Sequence, residues 1–310
     1  MSKILIALGG NALLSSKDRR DFKTQVEHAY VALNSLSDVI HREDVVITHG
    51  NGPQVGDILL RNQDQDGMPP GMPLHACGAM SQGLIGEIIL EAYERVKREK
   101  GLSKDMSVIV TRTAVNSEDP GFKDPSKPVG EFFTEKEAKK YEIEKGWKFV
   151  RTERGFRRVV PSPFPVDILE KRVIESNLLS GLLPVCVGGG GIPVVRTEQG
   201  YEGVDAVIDK DLASAVLAYL LEFDQFIILT DVTNVYVDYG KESQRALEKV
   251  RVSEMEKYVK EGQFARGSMG PKVQAALEFL RHGGKTAKIG KLENAMDVLN
   301  GRSGTEILPD

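Results

Sequence analysis

Short apolar runs that end in glycine-rich turns constrain the fold of this chain more than any other feature. They recur at residues 4–8 before Gly9-Gly10, at 45–48 before Gly50-Asn51-Gly52, and at 183–187 before the glycines of 188–191. Continuous apolar runs of this length are typical of strands that are buried on both faces of a parallel sheet. Helical spacing between the runs, as at residues 25–40, predicts a three-layer αβα sandwich around a mostly parallel central sheet.

The composition favours a water-soluble protein that acts on small molecules. The 310 residues carry a formal net charge of -4, which disfavours dedicated binding to nucleic acid or to a membrane, because such surfaces are usually basic. No apolar run approaches the ~20 residues of a membrane helix, and the run after Lys3 is too short for a signal-peptide core. With only Cys77 and Cys186 available, a disulfide scaffold is disfavoured, and the cytoplasm is the expected compartment.

The alternation of strands and helices is interrupted between residues 116 and 165. This segment mixes charges with several prolines, and long irregular insertions in compact proteins are usually functional. We interpret the segment as a small protruding subdomain that acts as a lid. The chain is expected to divide near residue 215 into an N-terminal lobe, 1–215, which carries the lid, and a C-terminal lobe, 216–310, with its own strand–helix series.

The glycine turns indicate an anionic ligand. In open α/β sheets, ligands bind beyond the carboxyl ends of the strands, and glycine lets the backbone approach an anion and direct N–H groups at it. Any single turn is explained equally well by the tight geometry of a strand–helix connection. Several turns in one chain, two of them followed by Asn11 and Asn51, favour the anionic ligand.

Three lysines occupy positions where neighbouring residues restrict the backbone. Lys127 and Lys272 each adjoin a proline, and Lys210 lies between two aspartates just before a predicted helix. Most lysines are simply solvated surface charges. These settings, however, are suited to holding a point charge in place for phosphoryl transfer.

Two glycine signatures and one basic cluster are weaker signals. The glycines of residues 50–56 have a spacing close to that of a dinucleotide-binding turn, but no acidic residue follows a next strand at the expected distance. Residues 283–286 end like a phosphate-binding P-loop, but Phe279 stands where the first glycine belongs. The arginines at 154–158 are consistent with a phosphate site and equally with a solvated, ion-paired face.

Metal and nucleophile sites are disfavoured by spacing. His49, His75 and Cys77 lack the repeat spacing of a metal site. Ser81 and Ser268 lack a paired histidine motif that would activate them as nucleophiles. We therefore predict no firm protein ligand for a metal ion.

A series of segments resembles the carbamate kinases, which have the amino acid kinase fold. The opening ALGGNAL, the run THGNGPQVG and the run GVDAVIDKD are among the most specific of these segments. The matching segments keep the same order over nearly the whole chain, at residues 7–13, 48–56, 78–83, 127–130, 158–163, 188–193, 203–211 and 267–272. The chain departs from the family pattern at Arg112, at Asn116 and at residues 151–156, all in or beside the predicted lid.

The resemblance implies a reversible kinase. The N-terminal lobe would bind carbamate or carbamoyl phosphate, the C-terminal lobe would bind ATP or ADP with Mg²⁺, and the lid would reach over the site. It also implies a homodimer built on an extended sheet and a place in arginine metabolism. Many relatives of the same fold carry a lysine just before the first Gly-Gly turn, but this chain has Ala7. The resemblance implies that Lys127 of the lid supplies the missing charge.

The resemblance also assigns roles to individual residues. Substrate binding is expected at Gly9, Gly10, Asn11, Gly50 and Asn51. Catalytic roles are expected for Lys127, Lys210 and Lys272, with Asp211 orienting the neighbouring lysines. The nucleotide pocket is expected to include Gly189, Gly190, Lys210, Thr230, Asp231, Tyr236, Met269, Gly270 and Lys272.

Overall fold

The side chains of the first strand, β1 (Lys3–Leu8), alternate between two separate hydrophobic cores. Leu5 and Ala7 pack into the core on one face of the sheet, and Ile4 and Ile6 pack into the core on the other. Successive side chains of a strand point to opposite faces, so a continuous apolar run can be buried on both. Truncating a fully buried side chain such as Ile6 to alanine is expected to cost about 2–5 kcal/mol.

The other elements continue the alternation that the sequence predicts. The computed structural model describes residues 2–10, 14, 19–62, 69–265 and 267–310. The further strands are β2 (Asp44–His49), β3 (Met106–Val108), β4 (Arg112–Val115), β5 (Lys127–Phe133), β6 (Lys148–Thr152), β7 (Gly155–Val160), β8 (Pro165–Ile168), β9 (Leu183–Cys186), β10 (Ile192–Thr197), β11 (Gly200–Gly203), β12 (Gln225–Thr230), β13 (Val235–Val237), β14 (Arg245–Leu247), β15 (Lys249–Arg251), β16 (Thr286–Lys291) and β17 (Thr305–Leu308). The helices are α1 (Phe22–Ser35), α2 (Ser37–Arg42), α3 (Gly52–Arg61), α4 (Leu74–Lys100), α5 (Glu135–Lys145), α6 (Lys171–Leu179), α7 (Lys210–Leu220), α8 (Val252–Lys260), α9 (Met269–Arg281) and α10 (Ala295–Leu299).

The central sheet has the strand order β15-β17-β16-β12-β1-β2-β9-β3. All of its neighbouring strands are parallel except β16 and β17. Helices α1, α4 and α10 contribute to the core on one face, and α6, α7, α8 and α9 to the core on the other. The predicted αβα sandwich is therefore confirmed.

The carboxyl ends of the central strands lie at one edge of this sheet. Leu8 at the end of β1 is in register with His49 of β2 and with Leu229 of β12, and Thr48 is in register with Cys186 of β9. The glycine turns that follow β1, β2 and β9 consequently lie side by side. This shared edge is where a ligand site is expected in an open α/β sheet.

Two elements differ in their bounds from the sequence prediction. The helix predicted over residues 25–40 is divided into α1 and α2, because the Ser37 hydroxyl donates to the Asn34 carbonyl oxygen, an alternative partner to the helical ladder. The apolar run of residues 108–110 also predicts a strand, but the strand of this region is β3, where Met106 and Val108 pair with β9.

The interrupted segment forms a sheet of its own. Between the end of β4 and the start of β8, strands β5, β7 and β6 pair in that order as an antiparallel sheet, to which α5 packs. A small aromatic core of Phe133, Tyr141, Trp147 and Phe149 holds it together. We call this segment, residues 116–165, the lid. The division into lobes at residue 215, which lies inside α7, stays a prediction. Among the described residues, no helix is both long and apolar enough to span a membrane.

Candidate active site

The turns after β1 and β2 are packed directly against each other. A Cβ atom on Gly50 would lie 3.1 Å from the nitrogen of Gly10, and a Cβ atom on Gly9 would lie 3.1 Å from the carbonyl oxygen of Leu229. The N–H groups of Gly9 and Gly50 donate to the carbonyl oxygens of Leu229 and Leu8. These two glycines therefore permit close approach of the backbones, while their own N–H groups already have partners.

Asn51 is held by a chain of hydrogen bonds from α4. Its amide nitrogen donates to the Ser81 hydroxyl at 2.8 Å, and that hydroxyl donates to the Gly78 carbonyl oxygen at 2.6 Å. The Asn51 side chain makes no capping hydrogen bond to α3, which begins at the next residue. The positive end of α3 is thus left available for an anion beside the glycine turns.

Gly189 and Gly190 lie beside this turn. A Cβ atom on Gly189 would lie 2.1 Å from the Asn51 side-chain nitrogen, and one on Gly190 would lie 2.5 Å from the Ile208 carbonyl oxygen. Both glycines also have positive φ angles, of 64° and 92°. Only glycine satisfies both constraints without strain. The structure brings them to the Asn51 side of the edge, although the sequence prediction grouped them with the nucleotide.

Lys210 and Lys272 converge on one buried carboxylate. Lys210 is the first residue of α7, and its Nζ lies 2.6 Å from Oδ1 of Asp211. Lys272 lies in the first turn of α9, and its Nζ lies 3.2 Å from Oδ2 of the same carboxylate. The Asp211 side chain is only 3% exposed, and the lysine side chains are 12% and 18% exposed. The predicted orienting role of Asp211 therefore has the required geometry.

The charges of this cluster shift one another's pKa values. Burial opposes ionisation of Asp211, but the two ammonium groups outweigh it, so the pKa of Asp211 is below its usual value. Burial lowers the pKa of Lys210 and outweighs the attraction of Asp211. For Lys272, burial acts in the same direction, but the Asp211 charge outweighs it and the pKa is raised. The Asp211 carboxylate is thus kept ionised between two lysines whose pKa values are shifted in opposite directions.

Lys127 reaches the same region from the lid. Its Nζ donates to Oδ2 of Asp209 at 2.7 Å, and Oδ1 of Asp209 accepts from the N–H groups of Asp211 and Leu212. Asp209 is therefore the N-cap of α7 and the partner of the lid lysine at once. The sequence prediction missed this residue as a functional group, although its position before Lys210 fits the preference for aspartate at N-caps.

His49 is a buried polar residue of the edge. Its side chain is 2% exposed, and Nδ1 lies 3.0 Å from the Gly50 carbonyl oxygen. Burial lowers the pKa of His49 to about 4, the hydrogen bond to Gly50 opposes this, and the Lys210 charge adds to it. The imidazole is consequently neutral near pH 7 and packs against the Gly188 backbone.

A separate cavity of about 190 Å³ lies beside the start of α9. Its walls are aromatic and apolar, and its lining includes Tyr236, Tyr239, Phe264, Ser268 and Met269. Lys272 follows Met269 by three residues on the same helix, a rise of about 4.5 Å. A planar apolar group in this cavity would therefore direct an attached anionic chain towards the paired lysines.

The remaining predicted residues have distinct surroundings. Thr230 ends β12 and donates its hydroxyl to Asp231, whose charge raises the pKa of Lys272. The N–H of Gly270 donates to Ala265, so α9 offers the charge of Lys272 rather than this backbone donor. Asn11 lies outside the described residues.

This fold and site define a class of protein. The amino acid kinase family model matches residues 2–291, so the chain belongs to the amino acid kinase family. Within that family, the chain is 53% identical to the carbamate kinase of Thermoplasma acidophilum over 308 residues, which are 99% of this chain and 100% of the relative. It is 45% identical to the carbamate kinase of Pyrococcus horikoshii, with 99% of both chains covered.

A solved structure gives the same assignment. The carbamate kinase from Giardia lamblia bound to AMP-PNP superposes with a TM-score of 0.93 at 44% identity, covering 100% of this chain and 99% of the other. By sequence and by structure, the chain therefore belongs with the carbamate kinases, as the resemblance of its motifs indicates.

Proposed function

We propose that the protein transfers a phosphoryl group reversibly between ATP and carbamate, so that ADP and carbamoyl phosphate give ATP and carbamate. The observation that carries the proposal is the convergence of Lys127, Lys210 and Lys272 on two adjacent carboxylates beside the glycine turns. Phosphoryl transfer requires mainly positioning and charge neutralisation, which such a cluster supplies.

The acceptor needs no general base. Carbamate is already an anion, so its oxygen can attack the γ-phosphoryl group directly. Ala7 of β1 is fully buried in the core, so the strand that carries a lysine in many relatives offers no charge here. We propose that Lys127 leaves Asp209 on substrate binding and neutralises charge on the acceptor or the transferring group.

The glycine turns and the α3 N-terminus supply the substrate side of the proposed site. Gly9, Gly10 and Gly50 allow close approach, and Asn51 is fixed by Ser81. We propose that the acceptor and the γ-phosphoryl group bind here, with Asn11 completing the first turn. Lys210 would contact the transferring phosphoryl group, because it is the most buried cation of the cluster.

The nucleotide is proposed to bind in the aromatic cavity beside α9. The adenine would pack between the tyrosines and Met269, and the phosphates would extend past Asp231 to Lys272. The Giardia lamblia relative was solved with AMP-PNP, an ATP analogue, which supports this expectation. No group of three or more metal-binding side chains converges in the described part of the chain. We propose that Mg²⁺ is held mainly by phosphates and water, because this ion keeps its waters readily, and that it neutralises phosphate charge.

The direct test is ATP formation from ADP, Mg²⁺ and carbamoyl phosphate by the purified protein. Lys210→Ala is expected to lower kcat by ~10²–10³, the usual cost of losing one preorganised charge donor. Lys249→Ala is the matched control, because Lys249 is an exposed lysine that pairs with Glu306 far from the cluster in sequence. Nucleotide binding without ATP formation by the wild-type protein would move the proposal to another small acid or phosphate acceptor.

The assembly and location are also proposals. The outer strand β3 and the exposed apolar side chains of Met80 and Leu84 on α4 offer a face that a second copy would cover, giving a homodimer on an extended sheet. Light scattering should show a dimer for the wild-type protein and a monomer for Leu84→Asp. A monomeric wild-type protein would contradict the proposal. The bulk composition supports a cytoplasmic location.

A further inference from the structure

A second cavity, of about 250 Å³, lies between the lid and α3. Helix α3 and the segment before α4 form one side, with Leu59, Leu60 and Met72, and the lid forms the other, with Val129 and Phe133. None of the predicted site residues is among the described residues that line it. The phosphoryl-transfer proposal therefore leaves this cavity without a role.

The Arg158 guanidinium lines the cavity without a hydrogen-bonding partner among the described residues. The Arg158 guanidinium stacks on Trp147, with its ζ-carbon 4.0 Å from the ring centroid. Among the residues that the structure describes, the guanidinium forms no ion pair with a carboxylate and donates no hydrogen bond. Asp205 also lines the cavity, but it pairs with His75 at 3.3 Å. Burial lowers the pKa of Arg158, and the nearby Asp205 charge opposes this shift.

This arrangement fits an oxyanion. Arg158 is half-buried, and a cation that loses part of its water without gaining a partner is unfavourable. The planar guanidinium presents N–H groups that match the two oxygens of a carboxylate. The guanidinium lies over the Trp147 ring, and its unpaired N–H donors are available for such a pair. The apolar side chains in the lining favour an organic anion over inorganic phosphate, which is hydrated on all sides.

We propose that the cavity binds a small organic carboxylate with a compact apolar body. The carboxylate pairs with Arg158, and the apolar part packs against the leucines of α3, Met72 and Phe133. The volume is below the 300–1,000 Å³ of pockets for drug-sized ligands, so the ligand is small. The cavity joins the lid to α3, so its occupant braces the lid against the helix that begins at the anion site.

Trp147 gives a direct readout, because it is the only tryptophan of the chain and it lines the cavity. Titration with 4-methylpentanoate, at a fixed pH and ionic strength, should change its fluorescence saturably. The isosteric amide, 4-methylpentanamide, should cause no saturable change, because it carries no anion for Arg158. Leucine has the same carbon skeleton with an added ammonium group. Tighter binding of leucine would show that Glu131 and Asp205 of the lining bind this ammonium group.

Substitutions distinguish the site from unspecific binding. Arg158→Gln should weaken binding of 4-methylpentanoate by about 10- to 100-fold, the usual loss for a charge-assisted hydrogen bond. Arg154→Gln is the matched control, since Arg154 also stacks on a lid ring, Phe132, but does not line the cavity. Leu60→Phe, at a 45% exposed position of α3, should weaken binding by filling the cavity without disturbing the core.

Calorimetry would measure these affinities. Equal binding of the acid and the amide would overturn the proposal, as would equal losses in the two arginine variants. Unchanged binding in both Arg158→Gln and Leu60→Phe would overturn it as well. Displacement of 4-methylpentanoate by carbamoyl phosphate would place the acid in the phosphoryl-transfer centre and would also overturn it.

Discussion

The three lysines that we propose as catalytic are held in two different ways, and the difference separates the body of the protein from its lid. Lys210 and Lys272 begin helices that pack on the central sheet, and they share the buried Asp211. Lys127 belongs to the lid, its side chain is 34% exposed, and a single carboxylate, Asp209, holds it. Partly exposed ion pairs contribute little to stability, whereas breaking a buried pair is costly.

The lysines of the body and the lysine of the lid are therefore expected to have different roles. The two lysines of the body are arranged before any substrate arrives, which is how preorganised charge lowers a barrier. The lid lysine can exchange its carboxylate partner for a substrate at little cost. The rigid pair would then hold the phosphates, and the movable lysine would complete the site after binding.

The largest expected effect is a loss of stability when the carboxylate shared by Lys210 and Lys272 is removed. Asp211→Asn removes the shared charge and leaves two buried ammonium groups together, so we expect the free energy of unfolding to fall by about 3–5 kcal/mol. Urea denaturation measures it. Asp209→Asn is the matched control, because asparagine still caps α7, and its loss should stay below ~1 kcal/mol. Equal losses in the two variants would contradict the comparison.

For the lid lysine, we expect a loss of activity with little loss of stability. Lys127→Ala is expected to lower kcat by about 10- to 100-fold, less than the loss for a fully preorganised donor. Its free energy of unfolding should change by less than ~1 kcal/mol, because the broken pair is partly exposed. Steady-state kinetics and urea denaturation of the same preparation test both statements. A stable variant with normal kcat would remove Lys127 from the mechanism.

The stability of the protein body is also expected to depend on pH, because His49 is buried there. Its pKa is lowered to about 4 in the folded protein, while the unfolded chain takes up the proton near 6.5. The unfolded state therefore binds more protons below pH 6.5, and stability is full above that pH and falls as the pH drops towards 4. The loss between pH 7 and pH 5 should be about 2 kcal/mol.

Urea denaturation at the two pH values tests this sign and size. His49→Gln should reduce the pH dependence by about that amount, whatever its effect on stability at pH 7. His41→Gln, at an exposed position, is the control that should retain the dependence. A wild-type protein that is equally stable at both pH values would contradict the buried neutral imidazole.

The parts of the site that follow from local pattern were predictable from the sequence. The apolar runs specify the sheet, and the turns after them must meet at its edge, so the positions of Gly9 and Gly50 follow from topology. Lys210 and Lys272 are recognisable because each begins a helix. The partner of Lys210 is the adjacent Asp211. The contact between Lys272 and Asp211, in contrast, spans 61 positions, and no local pattern specifies it.

Polar residues with several explanations were also difficult to interpret. The sequence presents Ser81 only as a candidate nucleophile, yet its hydroxyl fixes Asn51. It presents His49 only as a candidate metal ligand, yet this residue is a buried neutral ring that packs on Gly188. Such roles depend on which helix covers which turn, and α4 comes to Asn51 from 30 positions away. A single sequence does not contain that packing in any local pattern.

The smallest expected effect tests whether the lid is a separate cooperative unit. Thr134 caps α5 through a capping box with Glu137, and Thr134→Ala should cost about 1 kcal/mol. If the lid opens by itself, hydrogen exchange should accelerate about fivefold in β5–β7 and remain unchanged in β1 and β2. Thr134→Ser, which keeps the cap, should match the wild type. Equal acceleration in β1 would mean that lid and body unfold together, and Lys127 would then be as rigidly held as Lys210.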